Sequence, residues 1–184
     1  AEITDAGIPV HLFRGNHDVW AFDYLNKELN IQIHREAAVK EFNGKRFYLA
    51  HGDGLGPGDH GYKFLKKVFE CRICQWLFSW LHPDIGARIA LYSSKKSRLA
   101  NILKEGKKDS GTDDYHKEML YQYAESLIAK GMNVDYMIFG HRHLPLNEKV
   151  GENTRIIFLG DWLSNFSYAV FDGEEVRSEF YMKG

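Results

Sequence analysis

The chain has 184 residues, 44% hydrophobic and 27% charged, with a net charge of −1. That length suits one domain with its own core, and the composition is that of an ordinary globular protein. No uncharged run is long enough to span a bilayer, no leader peptide is recognisable, and the near-neutral charge by itself points to no partner.

"IPVHLF" (8–13) reads as a buried strand that stops at "RGNHD". "VWAFDYLNKEL" (19–29) has helical spacing with Asp18 as its N-cap. "AAVKEFNGKRFYLA" (37–50) is two strands around Asn43-Gly44, a strong hairpin signal, and runs into "HGDG". One long helix is expected from Tyr62 to Leu81, ended by Pro83, and a second from Asp84 to Leu103. A polar loop (104–114) leads to an amphipathic helix (115–131) closed by Gly131. "VDYMIFG" (134–140) and "TRIIFLGDW" (154–162) are strands with polar stops, and 166–182 is a hairpin turning at Asp172-Gly173. Mixed strands and helices of this kind predict an α/β arrangement of layers.

Charge is unevenly spread. Residues 60–108 hold eleven basic and three acidic residues, a balance of +8, which leaves thirteen basic and twenty-two acidic residues, or −9, elsewhere. A basic segment in an acidic chain suggests an anionic partner for that segment. The two cysteines, Cys71 and Cys74, lie in "VFECRICQWLF" with no second pair. They read as two small buried hydrophobes rather than a redox pair or half a zinc site, and hint at a reducing compartment.

The polar residues after the strands repeat in type. "VHLF" gives "RGNHD", "RFYLA" gives "HGD", "YMIFG" gives "HRH" and "IIFL" gives "GDW". In open α/β sheets, the carboxyl ends of strands are where side chains from several strands converge on a site. Asn16 offers an amide oxygen, and His51, His141 and His143 offer imidazole nitrogens. That mixture suits Mn, Fe, Zn or Co better than a structural thiolate zinc. One histidine alone is more often a plain surface residue; three motifs in this order, each after a strand, favour a metal site.

"GNHD" (15–18), "HGD" (51–53) and "GHRH" (140–143) resemble the last three motif blocks of the calcineurin-like metallophosphoesterases. The resemblance implies a β-sandwich flanked by helices with a two-metal centre, in which Asn16, His51 and His141 bind one metal and His143 the other. His17 would stabilise the phosphoryl group or protonate the leaving group, steered by Asp18, and hydroxide rather than a side chain would be the nucleophile. Mn is the expected metal. The family's two earlier blocks, D-x-H and G-D-x-x-D, are not in this sequence, so the N-terminal part of a longer protein is expected to be missing. This chain alone is then expected to hold at most one metal well and to turn over poorly or not at all.

The basic segment refines the resemblance. Its first helix carries Phe64, Leu65, Val68, Phe69, Ile73, Trp76, Leu77, Phe78, Trp80 and Leu81, more than one core-facing stripe needs, beside Lys63, Lys66, Lys67 and Arg72. Grease with positive charge suits an anionic amphiphile or a membrane headgroup layer. An ordinary core helix with a basic solvated face is the plainer reading. The block, with Asp59, "GY" (61–62) and the spacing Ser97-x-x-x-Asn101-x-x-Lys104, is similar to the UDP-2,3-diacylglucosamine hydrolase family of lipid A biosynthesis. That similarity covers essentially the whole chain. It implies one metallophosphoesterase domain (1–184) with a helical lid insertion at about 60–108. It also implies hydrolysis of the pyrophosphate of UDP-2,3-diacylglucosamine to UMP and 2,3-diacylglucosamine 1-phosphate. Asp59, Ser97, Asn101 and Lys104 would bind this nucleotide-linked glycolipid. Many members of that family carry Arg where His17 stands. The expected location is cytoplasmic and peripheral, on the anionic inner membrane of a Gram-negative bacterium.

Two rivals stand beside this reading. One keeps the chemistry but takes a soluble nucleotide or phosphodiester. The other is a catalytically dead binding module that uses the basic segment to sit on an anionic membrane surface, nucleic acid or another anion. The His17-Asp18 pair has no use in a mere binder, and the aromatic residues lack the pattern of a nucleic-acid stacking platform, so no nucleic-acid partner is expected.

Overall fold

A computed structural model describes residues 1–58, 60–89, 91–92 and 115–181. The chain divides into two compact units, Ala1–His60 with His116–Gly184, and Gly61–Tyr115.

The first unit is built on a five-stranded sheet of β3 (Ala38–Phe42), β4 (Lys45–Ala50), β5 (Tyr136–Phe139), β6 (Leu146–Val150) and β7 (Thr154–Phe158), in the order β3-β4-β5-β7-β6. The inner strands β4, β5 and β7 run parallel, and the edge strands β3 and β6 pair antiparallel to them. Strands covered on both faces read as continuous apolar runs, as "YMIF" and "RIIF" do. On one face Phe47, Tyr136 and Ile157 pack with Val176, Ala169 and Phe171. The last three belong to the hairpin β8 (Ser167–Phe171) and β9 (Val176–Phe180), so a second, two-stranded sheet lies on the first. On the other face the alternate residues Tyr48, Met137, Phe139, Ile156 and Phe158 are buried. There helix α6 (Met119–Ala129) buries Leu120, Tyr121 and Ala124, and its Tyr123 hydroxyl meets that of Tyr48 at 3.0 Å. The mixed α/β fold class read from the sequence, a sheet flanked by helix, is the one found.

A smaller parallel pair, β1 (His11–Phe13) and β2 (Gln32–His34), is joined by helix α2 (Tyr24–Leu29) and preceded by a single turn, α1 (Glu2–Asp5). Here the sequence misleads. The strand expected at 8–13 shortens to three half-buried residues, with Ile8 exposed. The helix expected from residue 19 begins only at Tyr24, because Asp18 turns its carboxylate back onto the Gly15 N–H and Asp23 takes the N-cap position. Strands β2 and β6 gave no periodic signal of their own.

The second unit holds α3 (His60–Glu70), α4 (Arg72–Ser79) and the helical residues 83–89, α5. The single helix expected over 62–81 is therefore two, broken at Cys71. Cys71 and Cys74 are half-buried free thiols, not the buried pair expected. Gly86 of α5 lies so close to Phe78 of α4 that a Cβ would meet the ring at 3.0 Å. Many apolar side chains stay exposed, among them Phe64, Ile73, Trp76 and Trp80. Among the described residues no helix is long and apolar enough to cross a membrane. The end of the second expected helix and the polar loop at 104–114 fall outside the described residues, as do Asp59, Ser97, Asn101 and Lys104.

Candidate metal centre

Parallel pairing fixes where the site lies. Ala50, Phe139 and Phe158 stand in register across β4, β5 and β7. The residues that follow them, His51, Gly140-His141 and Gly160-Asp161, therefore leave the sheet along one rim. The loop after β1 reaches the same place. Gly15 is buried against His51, where a Cβ would run into the imidazole ring. Only glycine lets the backbone pass so close to the imidazole.

Three donors converge there. The Asn16 Oδ1 lies 3.2 Å from His51 Nε2 and 3.3 Å from His141 Nδ1. The two imidazoles meet edge to face with centroids 5.5 Å apart. Among the described residues no three His, Cys, Asp or Glu side chains cluster tightly enough to hold a metal by themselves; here an amide oxygen, that of Asn16, stands with two imidazoles. Borderline nitrogen donors with one neutral oxygen fit a divalent first-row metal ion.

His141 is held in an unusual conformation. Its φ is +61°, and Arg142 N–H bonds Gly140 O at 2.6 Å across it, a tight three-residue turn. Such a turn costs about 1 kcal/mol or more and persists where the surroundings over-determine it. The Arg142 guanidinium supplies part of that hold, donating to Glu118 Oε1 at 2.7 Å just before α6. Burial, reinforced by the neighbouring His51, pushes the His141 imidazole down to about 4, against the opposing pull of the buried Asp53. At neutral pH the ring is uncharged and keeps a lone pair for a ligand.

His143 is exposed, and its Nδ1 faces Asp161 Oδ2 at 3.5 Å. Asp161 Oδ1 accepts the N–H groups of Leu163, Ser164 and Asn165 at 2.8, 2.6 and 3.2 Å. These bonds, the one from Ser164 foremost, hold the carboxyl down to about 2. The Asn165 amide donates both to Asp161 Oδ2 at 2.9 Å and to the His143 carbonyl at 2.8 Å. The turn after β7 thus grips the His143 backbone and sets a fixed negative charge beside its ring. Sequence reading noted "GDW" as a polar stop but gave Asp161 no part; its place after a parallel strand was the available signal.

His17 is exposed, and with Asn16, His51, His141 and His143 it lines a cavity of about 470 Å³. Trp162 and Tyr168 line the same cavity, their rings stacked at 6.2 Å. Asp18 accepts the Gly15 N–H at 2.7 Å and so closes the 15–18 turn that presents Asn16 and His17.

Comparison with known proteins gives relatives along almost the whole chain. It is 36% identical to the UDP-2,3-diacylglucosamine hydrolase of Porphyromonas gingivalis over 94% of this chain and 69% of that protein. It is 28% identical to the enzyme of that name from Vibrio atlanticus, over 92% of this chain and 67% of the relative. The one from Aeromonas hydrophila is 27% identical over 97% and 72%. The chain thus spans about two thirds of the length of these relatives. No family model matches it. A solution NMR structure of a Thermotoga maritima protein aligns over 91% of this chain and 61% of that one, at 19% identity and a TM-score of 0.34, too slight a likeness to carry an argument.

Proposed function

The chain belongs to the family of UDP-2,3-diacylglucosamine hydrolases, and we propose that it serves the same reaction, water-driven cleavage of the pyrophosphate to UMP and 2,3-diacylglucosamine 1-phosphate in lipid A biosynthesis. The observation that carries the reading is the convergence of Asn16 Oδ1 on His51 Nε2 and His141 Nδ1. These three atoms would hold a divalent ion, Mn by preference, with His143 serving a second. Such ions polarise phosphoryl oxygens and supply a nucleophile at neutral pH.

The chain's own residues do the rest. His141, uncharged and fixed by its strained turn, gives the site a ligand that needs no deprotonation. His17, open to the cavity, is placed to meet a phosphoryl oxygen or the leaving group. The Gly15–Asp18 bond holds the turn that carries both it and Asn16. Trp162 and Tyr168 give the cavity an apolar wall. Asp59, Ser97, Asn101 and Lys104 remain the proposed contacts of the sugar–diphosphate headgroup.

The helical unit supports a lipid-linked substrate and an anionic inner-membrane surface. Its exposed Phe64, Phe69, Trp76 and Trp80 accompany Lys63, Lys66, Lys67 and Arg72. Vesicles containing anionic lipid should sediment the chain, and the triple change of Phe69, Trp76 and Trp80 to Ser should abolish that; unchanged sedimentation removes the membrane from the account. For the substrate, the Mn-loaded chain should bind UDP-2,3-diacylglucosamine at least about tenfold more tightly than UDP-N-acetylglucosamine, with roughly 1.4 kcal/mol per tenfold. Any UMP release, slow as it is expected to be, should require Mn and vanish in His51→Ala. Equal affinity for the two nucleotides would leave a soluble phosphodiester as the better substrate.

A further inference from the structure

Cys71 and Cys74 take no part in the chemistry above. Both are free and partly open to solvent, and Cys71 sits at a joint. Helix α3 ends at Glu70, the Cys71 N–H closes back on the Val68 carbonyl at 3.2 Å, and the backbone then turns extended, with φ −70° and ψ 116°. Cys71 is the N-cap of α4, and its carbonyl receives the Gln75 N–H at 2.9 Å.

Side chains at the N-cap and three residues on face each other across the first turn of a helix. Cys71 and Cys74 occupy those two places, and their thiols hydrogen-bond to one another. The Cys71 side chain stands at the N-terminal end of α4 without closing a capping bond onto it. The nearby Cys74 N–H first, and the Cys74 thiol after it, hold the Cys71 pKa below the ordinary thiol value. Its bond to Cys71 raises Cys74. Its place at the N-terminal end of α4 suits Cys71 to the attacking role and leaves Cys74, one turn inside the helix, to resolve, a division that thiol–disulfide exchange uses.

We propose that Cys71 and Cys74 form a redox couple that exchanges reversibly with low-molecular-weight disulfides, Cys71 attacking and Cys74 resolving. The Cys71 thiolate attacks one sulfur of the external disulfide. That S–S bond breaks, a mixed disulfide forms on Cys71, and one thiolate departs, taking up the proton that Cys71 had lost to solvent. Cys74 then gives up its proton and attacks the Cys71 sulfur, which expels the second thiolate; that thiolate takes the proton. The pair has lost two electrons and two protons, and the external disulfide has become two thiols. The new bond closes the first turn of α4 on itself, beside the exposed Phe69, Ile73 and Trp76. The oxidation state of the couple thus sets whether the first turn of α4 is cross-linked.

The test uses the full chain in buffers of varied reduced-to-oxidised glutathione ratio at pH 7, quenched with acid and read by intact mass and peptide mapping. The expected result is an intrachain Cys71–Cys74 disulfide, two hydrogens lighter, that grows with the oxidised fraction and reverses on reduction. Cys74→Ser should trap glutathione on Cys71, and in the reduced chain Cys71 should alkylate about tenfold faster than Cys74. Failure of the intrachain bond at every ratio, absence of the trapped adduct, or equal alkylation rates would each overturn the proposal.

Discussion

His141 shows how much a single residue can be asked to carry. It is a half-buried imidazole at positive φ, held by the Arg142–Glu118 bond and the Asn16 amide. With its folded pKa near 4 and an ordinary value of 6.5, the unfolded chain binds the extra proton between those limits. Stability is therefore complete above about pH 6.5 and falls as the pH drops toward 4. Denaturant titrations of the metal-free chain across that window should show the slope, and His141→Gln should flatten it; an equal slope in the variant would mean that other groups dominate. Asp161 makes a second prediction. Asp161→Asn keeps an oxygen for the three N–H groups but removes the charge beside His143. At the second ion that His143 would serve, such a change to a group that orients a ligand weakens binding by about tenfold, read in the weaker phase of a calorimetric Mn titration. Unchanged affinity would make the aspartate a turn-former only. The histidines were legible in the sequence because each follows an apolar strand. The Asp161 role was not, since it depends on a turn folded around one carboxylate oxygen.

At the scale of elements, the hairpin β3–β4 was the clearest signal, and Asn43-Gly44 turns as expected, with φ of +50° and +75°. A Cβ on Gly44 would meet nothing within 4 Å. Gly44→Ala therefore isolates the backbone cost of a left-handed conformation, about 1 kcal/mol; thermal or urea unfolding would show it, and a neutral result would mean that the turn relaxes. The Asp172-Gly173 hairpin was equally readable, and there Asp172 Oδ1 accepts the N–H groups of both Glu174 and Glu175 at 3.0 Å. Short elements misled for a common reason. The 19–29 periodicity is real, but the Asp18 carboxylate is committed to Gly15 and the helix starts a turn later. The 62–81 periodicity runs through Cys71 without a break in pattern, and only the backbone reveals the joint. Strands β2 and β6 are short pieces whose strand state comes from their partners, β1 and β7.

At the scale of the molecule, three parallel strands in register carry the functional argument. They turn a sequence-level coincidence, "HGD", "GHRH" and "GDW" each after an apolar run, into one rim where an amide and imidazoles meet. The order of strands and the packing of β8–β9 on one face and α6 on the other were not readable, because pairing between distant segments leaves no local trace. The central claim is that Asn16, His51 and His141 share one metal ion. Its most direct measurement is equilibrium Mn binding to the intact chain, followed by electron paramagnetic resonance of the free ion. One tight ion per chain is predicted, with affinity falling at least about tenfold in each of Asn16→Ala, His51→Ala and His141→Ala while circular dichroism stays unchanged. Native affinity in the triple variant would contradict it.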